Sequence, residues 1–385
     1  IKELSSALKK TSHNLIISSH LFPSSEELDE LMAIVNLPLP DQRELKNLIK
    51  QIAINTNSNL EEQDLNELSI ASSGLTEIKV KQVTAKALAQ RGKISKEDIK
   101  DILEEKKQVI ARSEILEFFE AKSSQDDIGG LNVLKVWLNQ RYRAFSKEAR
   151  DYGLPIPKGV LLVGAQGTGK SLTAKSISKS WSMPLLRLDV GRLFSSLVGS
   201  SEARTRETIS RAEAMSPCIL WIDEIDKGFG GDARSDGGTS QRVLASLLTW
   251  MAEKESAVFV IATANAIDKL PAELLRKGRF DEIFFLDLPN SEERLSILDL
   301  HLKKRRPSYS FPLSTIIDRT DGFSGAELEQ AVIEGMHISF SENRELMEKD
   351  LIKAVSELVP LSRTAKEQID FLKEWSSTGR ARSAS

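Results

Sequence analysis

The segment Gly164-Ala165-Gln166-Gly167-Thr168-Gly169-Lys170-Ser171, directly after the apolar run Gly159-Val-Leu-Leu-Val163, restricts this chain more than any other feature. Glycines at 164, 167 and 169 let the backbone wrap its N–H groups around a phosphate, with the positive end of a following helix behind them. Lys170 can then reach the β- and γ-phosphates of a nucleoside triphosphate, and the Ser171 hydroxyl can ligate magnesium. The run before the loop reads as a strand buried on both faces, and Ser171-Leu172-Thr-Ala-Lys-Ser-Ile-Ser-Lys179 suits a helix. Strand, loop and helix in that order predict an α/β fold on a parallel sheet, with the phosphate site at the carboxyl ends of the strands.

A second apolar run, Cys218-Ile-Leu-Trp-Ile222, ends in Asp223-Glu224. A carboxylate at the end of a strand beside the loop is placed to hold magnesium through water, the role expected of Asp223. Its neighbour Glu224 points the other way along the pleat and is placed to polarise an attacking water. The two segments together predict binding and hydrolysis of a triphosphate with magnesium. Cys218 is the sole cysteine, so disulfide and zinc chemistry have no material, and it reads as a small core residue.

A third apolar run, Val258-Phe-Val-Ile-Ala-Thr263, leads into Ala264-Asn265, and Arg276 and Arg279 follow in Leu274-Leu-Arg-Lys-Gly-Arg-Phe-Asp281. With these motifs in this order, from Asp126-Asp-Ile-Gly-Gly-Leu131 to Glu334, the chain resembles the AAA ATPases of the AAA+ superfamily. The resemblance implies ATP and Mg2+ as cofactors, bound along the loop from Gly164 to Leu172. It implies that Asn265 orients the lytic water, that Ile128 and Gly129 meet the adenine edge, and that Gly325 and Ala326 make the lid contact. Arg276 and Arg279 match arginine fingers, which act in a neighbouring subunit's site and are typically worth about 10³–10⁵ in rate. A homo-oligomeric ring, a hexamer, that remodels a protein partner is therefore the implied machine.

Two departures from the family pattern bear on that expectation. The loop that lines the central pore carries an aromatic residue in many threading relatives; here Ser196-Leu197-Val198-Gly199 has leucine in that place. The Asp-Gly that usually follows the helix before the sensor strand is replaced by Met251-Ala252-Glu253. Hydrolysis reads as intact, while threading and signalling between subunits are in doubt. The alternative is a nucleotide-dependent scaffold or switch with slow hydrolysis and no threading.

Residues 1–107 lack a phosphate loop, yet they echo the second half. His13-Asn-Leu-Ile-Ile-Ser-Ser-His20 aligns with Val258–Asn265, Glu27-Leu28 with Glu273-Leu274, and Val35–Pro40 with Phe285–Pro289. Ser73-Gly-Leu-Thr76 echoes Asp321-Gly-Phe-Ser324, and Ile94–Ile99 echoes Met347–Leu351. His20 stands where the sensor asparagine would be, the two arginines have no counterpart, and Glu77-Ile78 replaces the lid Gly-Ala. The segment is thus expected to be the C-terminal part of a degenerate AAA-like module with its helical lid, without hydrolysis of its own. An unrelated helix-rich accessory domain stays open. The start at Ile1, in the late strands of such a module, predicts a longer protein. This tandem layout resembles the uncharacterised AAA proteins encoded in red-algal plastid and cyanobacterial genomes, which implies the cytoplasm or the plastid stroma.

With 53 basic and 56 acidic residues the net charge is −3, and no block of like charge is long enough for a nucleic-acid arm, which argues against a nucleic-acid partner. The densest basic run, Lys303-Lys-Arg-Arg306, reads as the solvated end of a lid helix. No apolar run is long enough to span a membrane. The expected boundaries are a front module over 1–107, a linker helix over 108–124, the nucleotide-binding α/β domain over 125–290 and a helical lid over 291–360. A C-terminal helix and a disordered tail are expected over 361–385, and Gly228–Gly238 as a mobile, glycine-rich loop facing the pore.

Overall fold

The computed structural model describes residues 39–111, 115–119, 128–194, 200–229 and 239–385, with a few isolated positions before them. The aligned stretches from His13 to Asn36, the pore-loop residues Ser196–Gly199, the acids Asp126-Asp127 and positions 230–238 therefore lie outside what is described. From Pro40 onward the chain forms one unit.

Among the described residues, seven strands make one sheet in the order β1-β3-β4-β5-β2-β6-β7. They are β1 Leu116–Phe119, β2 Gly159–Gly164, β3 Leu185–Leu188, β4 Cys218–Ile222, β5 Val258–Ala264, β6 Glu282–Leu286 and β7 Arg382–Ser383. All neighbours run parallel except β1, which pairs antiparallel with β3. Every residue of β2, β4 and β5 is buried, as strands covered on both faces require. The two faces take alternate residues. Leu161, Val163, Leu220, Ile222, Val260 and Ala262 join one core, while Val160, Leu162, Ile219, Trp221, Phe259 and Ile261 join the other.

Four helices, α1 Gln42–Asn55, α2 Glu62–Ser72, α3 Glu77–Arg91 and α4 Ile99–Ala111, surround a core of their own built on Leu45, Ile49, Leu68, Leu75 and Val80. α1 begins where Asp41 and Glu44 exchange backbone hydrogen bonds as a capping box. On the sheet, α5 Asn132–Arg143 and α6 Lys170–Trp181 fill one face, and α7 Ser200–Ala214 and α8 Thr239–Glu253 fill the other. The lid consists of α9 Ser291–Arg305, α10 Ser314–Arg319, α11 Gly325–Ser341 and α12 Glu348–Glu357, packed on Leu298, Leu302, Ile316, Leu328 and Leu351. α13 Lys366–Trp375 then returns to the sheet through Leu372 and Trp375. Among the described residues no helix is long and apolar enough to cross a membrane.

The structure differs from the sequence reading at both sheet edges. The expected linker helix is helical only to Ala111, and Leu116–Phe119 adds a strand beside β3. The expected disordered tail instead turns at Gly379, pairs Arg382 and Ser383 with Phe284 and Phe285, and buries Ala384 completely. In both places backbone pairing with a sheet edge supplies order that local composition does not encode.

The front helices meet the α/β part through α4, whose Lys106 is 1% exposed. Burial pushes its ammonium down to about 8 from 10.5, with Cys218 nearby on β4, and Cys218 is itself pushed up to about 12 by burial. A lysine depressed in the folded state costs stability in full below about pH 8, and the cost fades as pH rises toward 10.5. Lys106→Met should therefore raise stability at pH 7 by on the order of 2–3 kcal/mol. Chemical denaturation at pH 7 and pH 10 checks this: the gap between variant and parent narrows at the higher pH, and Cys218, present in both, cancels.

Candidate functional site

The phosphate loop lies at the carboxyl end of β2, which β5 and β6 flank in parallel. Gly167 (φ +80) and Gly169 (φ +93) adopt left-handed backbone, which frees the chain to turn and α6 to begin at Lys170. The Thr168 hydroxyl donates to the Ala165 carbonyl at 2.9 Å and closes the turn. The Lys170 ammonium is 6% exposed and donates to the Gly164 and Ala165 carbonyls at 2.7 and 2.6 Å. Burial pushes it down to about 8, opposed by Asp226, Asp223 and Glu224. Gln166 is exposed beside it and Leu172 is half-buried at the start of α6.

The pairing of β4 with β5 brings the remaining candidates to this end. Ser171 Oγ donates to Asp223 Oδ1 at 2.9 Å. Thr263 Oγ1 donates to the same oxygen at 2.8 Å and accepts the Glu224 N–H at 2.8 Å. Asn265 Nδ2 donates to Glu224 Oε1 at 3.1 Å, and Lys227 Nζ pairs with Glu224 Oε2 at 2.5 Å. The β4 strand ends at Ile222, and Glu224 sits at φ +50 rather than continuing the pleat. A non-glycine residue there costs about 1–3 kcal/mol and persists only where the surroundings hold it. Its bonds through N–H, Oε1 and Oε2 are that restraint. Ser171 and Asp223 present hard oxygen donors side by side, which suits magnesium held jointly with phosphates and water.

Sequence reasoning assigned no role to Thr263, Asp226 or Arg187. Asp226 is 5% exposed and accepts the backbone N–H groups of Asn265 and Ala266 at 3.2 Å each, so it fixes the turn that presents Asn265. Arg187 on β3 lies over Trp221, with its guanidinium 3.5 Å from Glu117 and 4.0 Å from Asp223. A short polar residue at the end of an otherwise apolar strand, and a third acid soon after Asp223-Glu224, were the available signals.

The lid touches the phosphate loop: the Ala326 N–H donates to the Gly167 carbonyl at 3.2 Å, with Gly325 beside it. The start of α11 is fixed by Ser324 and Glu327 as a capping box. Ile128 is buried with its carbonyl accepting from Lys135 Nζ at 2.6 Å, and Gly129 packs on Ile297 of α9.

Arg276 and Arg279 are not brought to this cluster. Arg276 is exposed and Arg279 half-buried in the turn before β6. That turn is anchored at the opposite end of β2, where Asp281 accepts the Lys158 and Gly159 N–H groups at 2.8 and 3.0 Å and Lys158 Nζ donates to the Gly278 carbonyl at 2.9 Å. The six-residue β2 separates this turn from the phosphate loop, a span of about 17 Å that no arginine side chain bridges.

Thr263→Val keeps the shape of a 1% exposed side chain and removes the hydroxyl that joins Asp223 to Glu224. Losing hydrogen bonds of this charged kind should lower ATP turnover about tenfold or more. Nucleotide affinity should hold, and Thr263→Ser should recover most of the rate. Steady-state ATPase assays with equilibrium ATP binding on the three proteins decide it.

The profile of the AAA family, "ATPase family associated with various cellular activities", matches residues 160–288. That of the SpoVK-like AAA ATPase second domain matches residues 43–113. The uncharacterised AAA domain-containing protein ycf46 of Pyropia yezoensis is 47% identical over 388 residues, covering 100% of this chain and 79% of the relative. Its counterpart in Guillardia theta is also 47% identical, covering 100% of this chain and 77% of the relative. The ATP-dependent zinc metalloprotease FtsH of Cyanidium caldarium is 36% identical over 243 residues, 61% of this chain and 39% of that protein. Identity of this degree along the whole chain shows that it belongs to the AAA ATPase family, in the group of AAA domain-containing proteins represented by ycf46.

Proposed function

We propose that this chain hydrolyses ATP with magnesium at the interfaces of a homo-oligomeric ring, a hexamer, and uses the cycle to remodel a protein partner. In this reading Lys170 and the loop from Gly164 to Leu172 hold the phosphates, Ser171 and Asp223 the magnesium, and Glu224 activates water that Asn265 orients. Ile128, Gly129, Gly325 and Ala326 face the nucleotide from the base and lid sides. Arg276 and Arg279 act on the neighbouring subunit's nucleotide.

One observation carries the reading. The two arginines stand on a turn pinned to the far end of β2 from the chain's own phosphate loop. If they stabilise charge on a transferring phosphoryl group, that group belongs to another copy. The front helices fit as the helical lid of the degenerate AAA-like module. Thr76 caps α3 and Ser324 caps α11, each two residues after a glycine at positive φ, Gly74 and Gly322. The SpoVK-like match over 43–113 favours the same origin. The ring would work in the cytoplasm or the plastid stroma.

A second reading, a switch with slow hydrolysis and no threading, is favoured at Met251-Ala252-Glu253. Met251 is fully buried in the sheet core, and the Ala252 carbonyl accepts from Lys158 Nζ at 2.7 Å. The backbone of this segment is thus engaged within its own subunit rather than offered to a neighbour.

Glu224→Gln should retain ATP and abolish turnover. Mixing that variant with the double variant Arg276→Ala/Arg279→Ala tests the shared site. Each protein alone should fall by about 10³ or more, while mixed rings regain turnover where an intact cradle faces intact arginines. No recovery in proven mixed rings, or equal specific activity at every dilution of the parent down to monomer, would sink the interface reading. Substrate-stimulated ATPase that is lost in Leu197→Ala would favour remodelling over the switch.

A further inference from the structure

We propose that residues 382–385 form a strap that sets the affinity of the site for the base half of its nucleotide, by holding the turn Ile128–Leu131 in place. The proposal rests on the reading of Ile128 and Gly129 as base contacts and adds the element that positions them.

After α13 the chain reverses at Gly379 and lays β7 along β6. The Ala384 N–H donates to the Phe285 carbonyl at 3.0 Å, and the Ala384 carbonyl accepts the Leu134 N–H at 3.1 Å. Leu134 is in the first turn of α5, whose N–H groups have no partner within their own helix. The strap therefore caps the helix that follows the base-side turn. The Ala384 methyl is fully buried in the cluster that contains Ile128, Leu131, Leu134, Phe284 and Leu286.

Ser385 extends the same junction. Its Oγ donates to Glu293 Oε1 at 2.6 Å, and that oxygen also accepts the Leu131 N–H at 3.2 Å. The second oxygen of Glu293 accepts the Asn290 N–H at 3.1 Å and so starts lid helix α9. Gly130, at φ +74, lies against this carboxylate, and a side chain there would run into it. One carboxylate thus joins the base-side turn, the first lid helix and the strap. Arg382 adds a cation–π contact, its guanidinium 5.8 Å from the Phe284 ring centre.

The arrangement separates base from phosphate. Every strap contact named above goes to β6, α5, Glu293 or the turn Ile128–Leu131 itself, and none goes to the loop Gly164–Ser171. So short an edge segment can detach locally while the sheet stays folded. If only a fraction of molecules then keeps the turn in its binding position, the apparent Kd rises by the inverse of that fraction.

The test uses the full chain with Ala384→Arg, whose side chain has no room in the buried site, and Ser385→Ala, which removes only the bond to Glu293. Binding of ADP carrying a ribose-linked fluorophore is measured, with unlabelled ADP and inorganic tripolyphosphate as competitors. Hydrogen exchange over residues 128–134 is followed in parallel. Ala384→Arg should weaken ADP about tenfold and Ser385→Ala about twofold to threefold, with tripolyphosphate unchanged. Exchange at 128–134 should quicken, and KM for ATP should rise while kcat holds. Unchanged ADP affinity despite quickened exchange, or equal losses for both ligands, would overturn the strap. Gly129→Val separates the two readings, since its side chain would meet Ile297. If it spares ADP affinity, the base reading fails and the strap with it; if it weakens ADP while Ala384→Arg does not, only the strap fails.

Discussion

A single carboxylate oxygen, Asp223 Oδ1, accepts from Ser171 at 2.9 Å and from Thr263 at 2.8 Å. These two bonds connect the phosphate loop, the β4 end and the end of β5, and the rest of the site is arranged around them. They form because parallel pairing aligns Ile222 with Ala262 and Val163 with Ala264, so three chain reversals emerge on one edge of the sheet. The Thr263 hydroxyl also receives the Glu224 N–H, which helps to hold that residue at φ +50. A buried polar junction of this kind is expensive to leave half-made, so the positions of Asp223 and Glu224 depend on one another. The catalytic candidates are thus one unit rather than separate side chains.

Much of this was legible in the residues because the central strands obey strong local rules. Runs such as Val160–Val163, Cys218–Ile222 and Val258–Ala262 have no alternative to burial on both faces, and the glycine-rich loop has few other uses. The edge strands obey no such rule. Ile115-Leu116-Glu-Phe118-Phe119 fits an amphipathic helix as well as a strand, and only pairing with β3 decides it. Arg382-Ser383 carries no apolar signal at all, and one buried methyl next to it supplies the anchor. Thr263 and Asp226 were missed for a different reason. Their partners are backbone N–H groups and carboxylates brought close by the fold, and residue type alone does not reveal such partners.

Both edges of the five central strands are therefore covered by segments from outside the nucleotide-binding core. β1 arrives from the front helices and β7 from beyond the lid. Unpaired edges invite association with other chains, and ending the sheet in the short strands Leu116–Phe119 and Arg382–Ser383 limits the edge left open. The coverings also connect distant parts to the site. β1 places Glu117 beside Arg187, which stands 4.0 Å from Asp223. β7 leads to Ala384 and Ser385, at the base-side turn and the foot of the lid.

These two connections differ in physical kind, and the difference matters for what each can transmit. The Glu117–Arg187–Asp223 row is electrostatic: the guanidinium lies between two acids, 3.5 Å from one and 4.0 Å from the other. The connection through residues 382–385 is steric and hydrogen-bonded, and it acts on where a turn sits rather than on charge. The front helices thus adjoin Asp223 through β1 and Arg187, while the segment beyond the lid adjoins the turn Ile128–Leu131 and Glu293. The α13 helix adds a third link, because Gln368 Nε2 donates to the Asn265 carbonyl at 3.2 Å and Lys373 pairs with Asp287 at 3.3 Å just before the lid. The helix α13 thus ties the turn at Asn265 to the chain just before the lid by direct bonds.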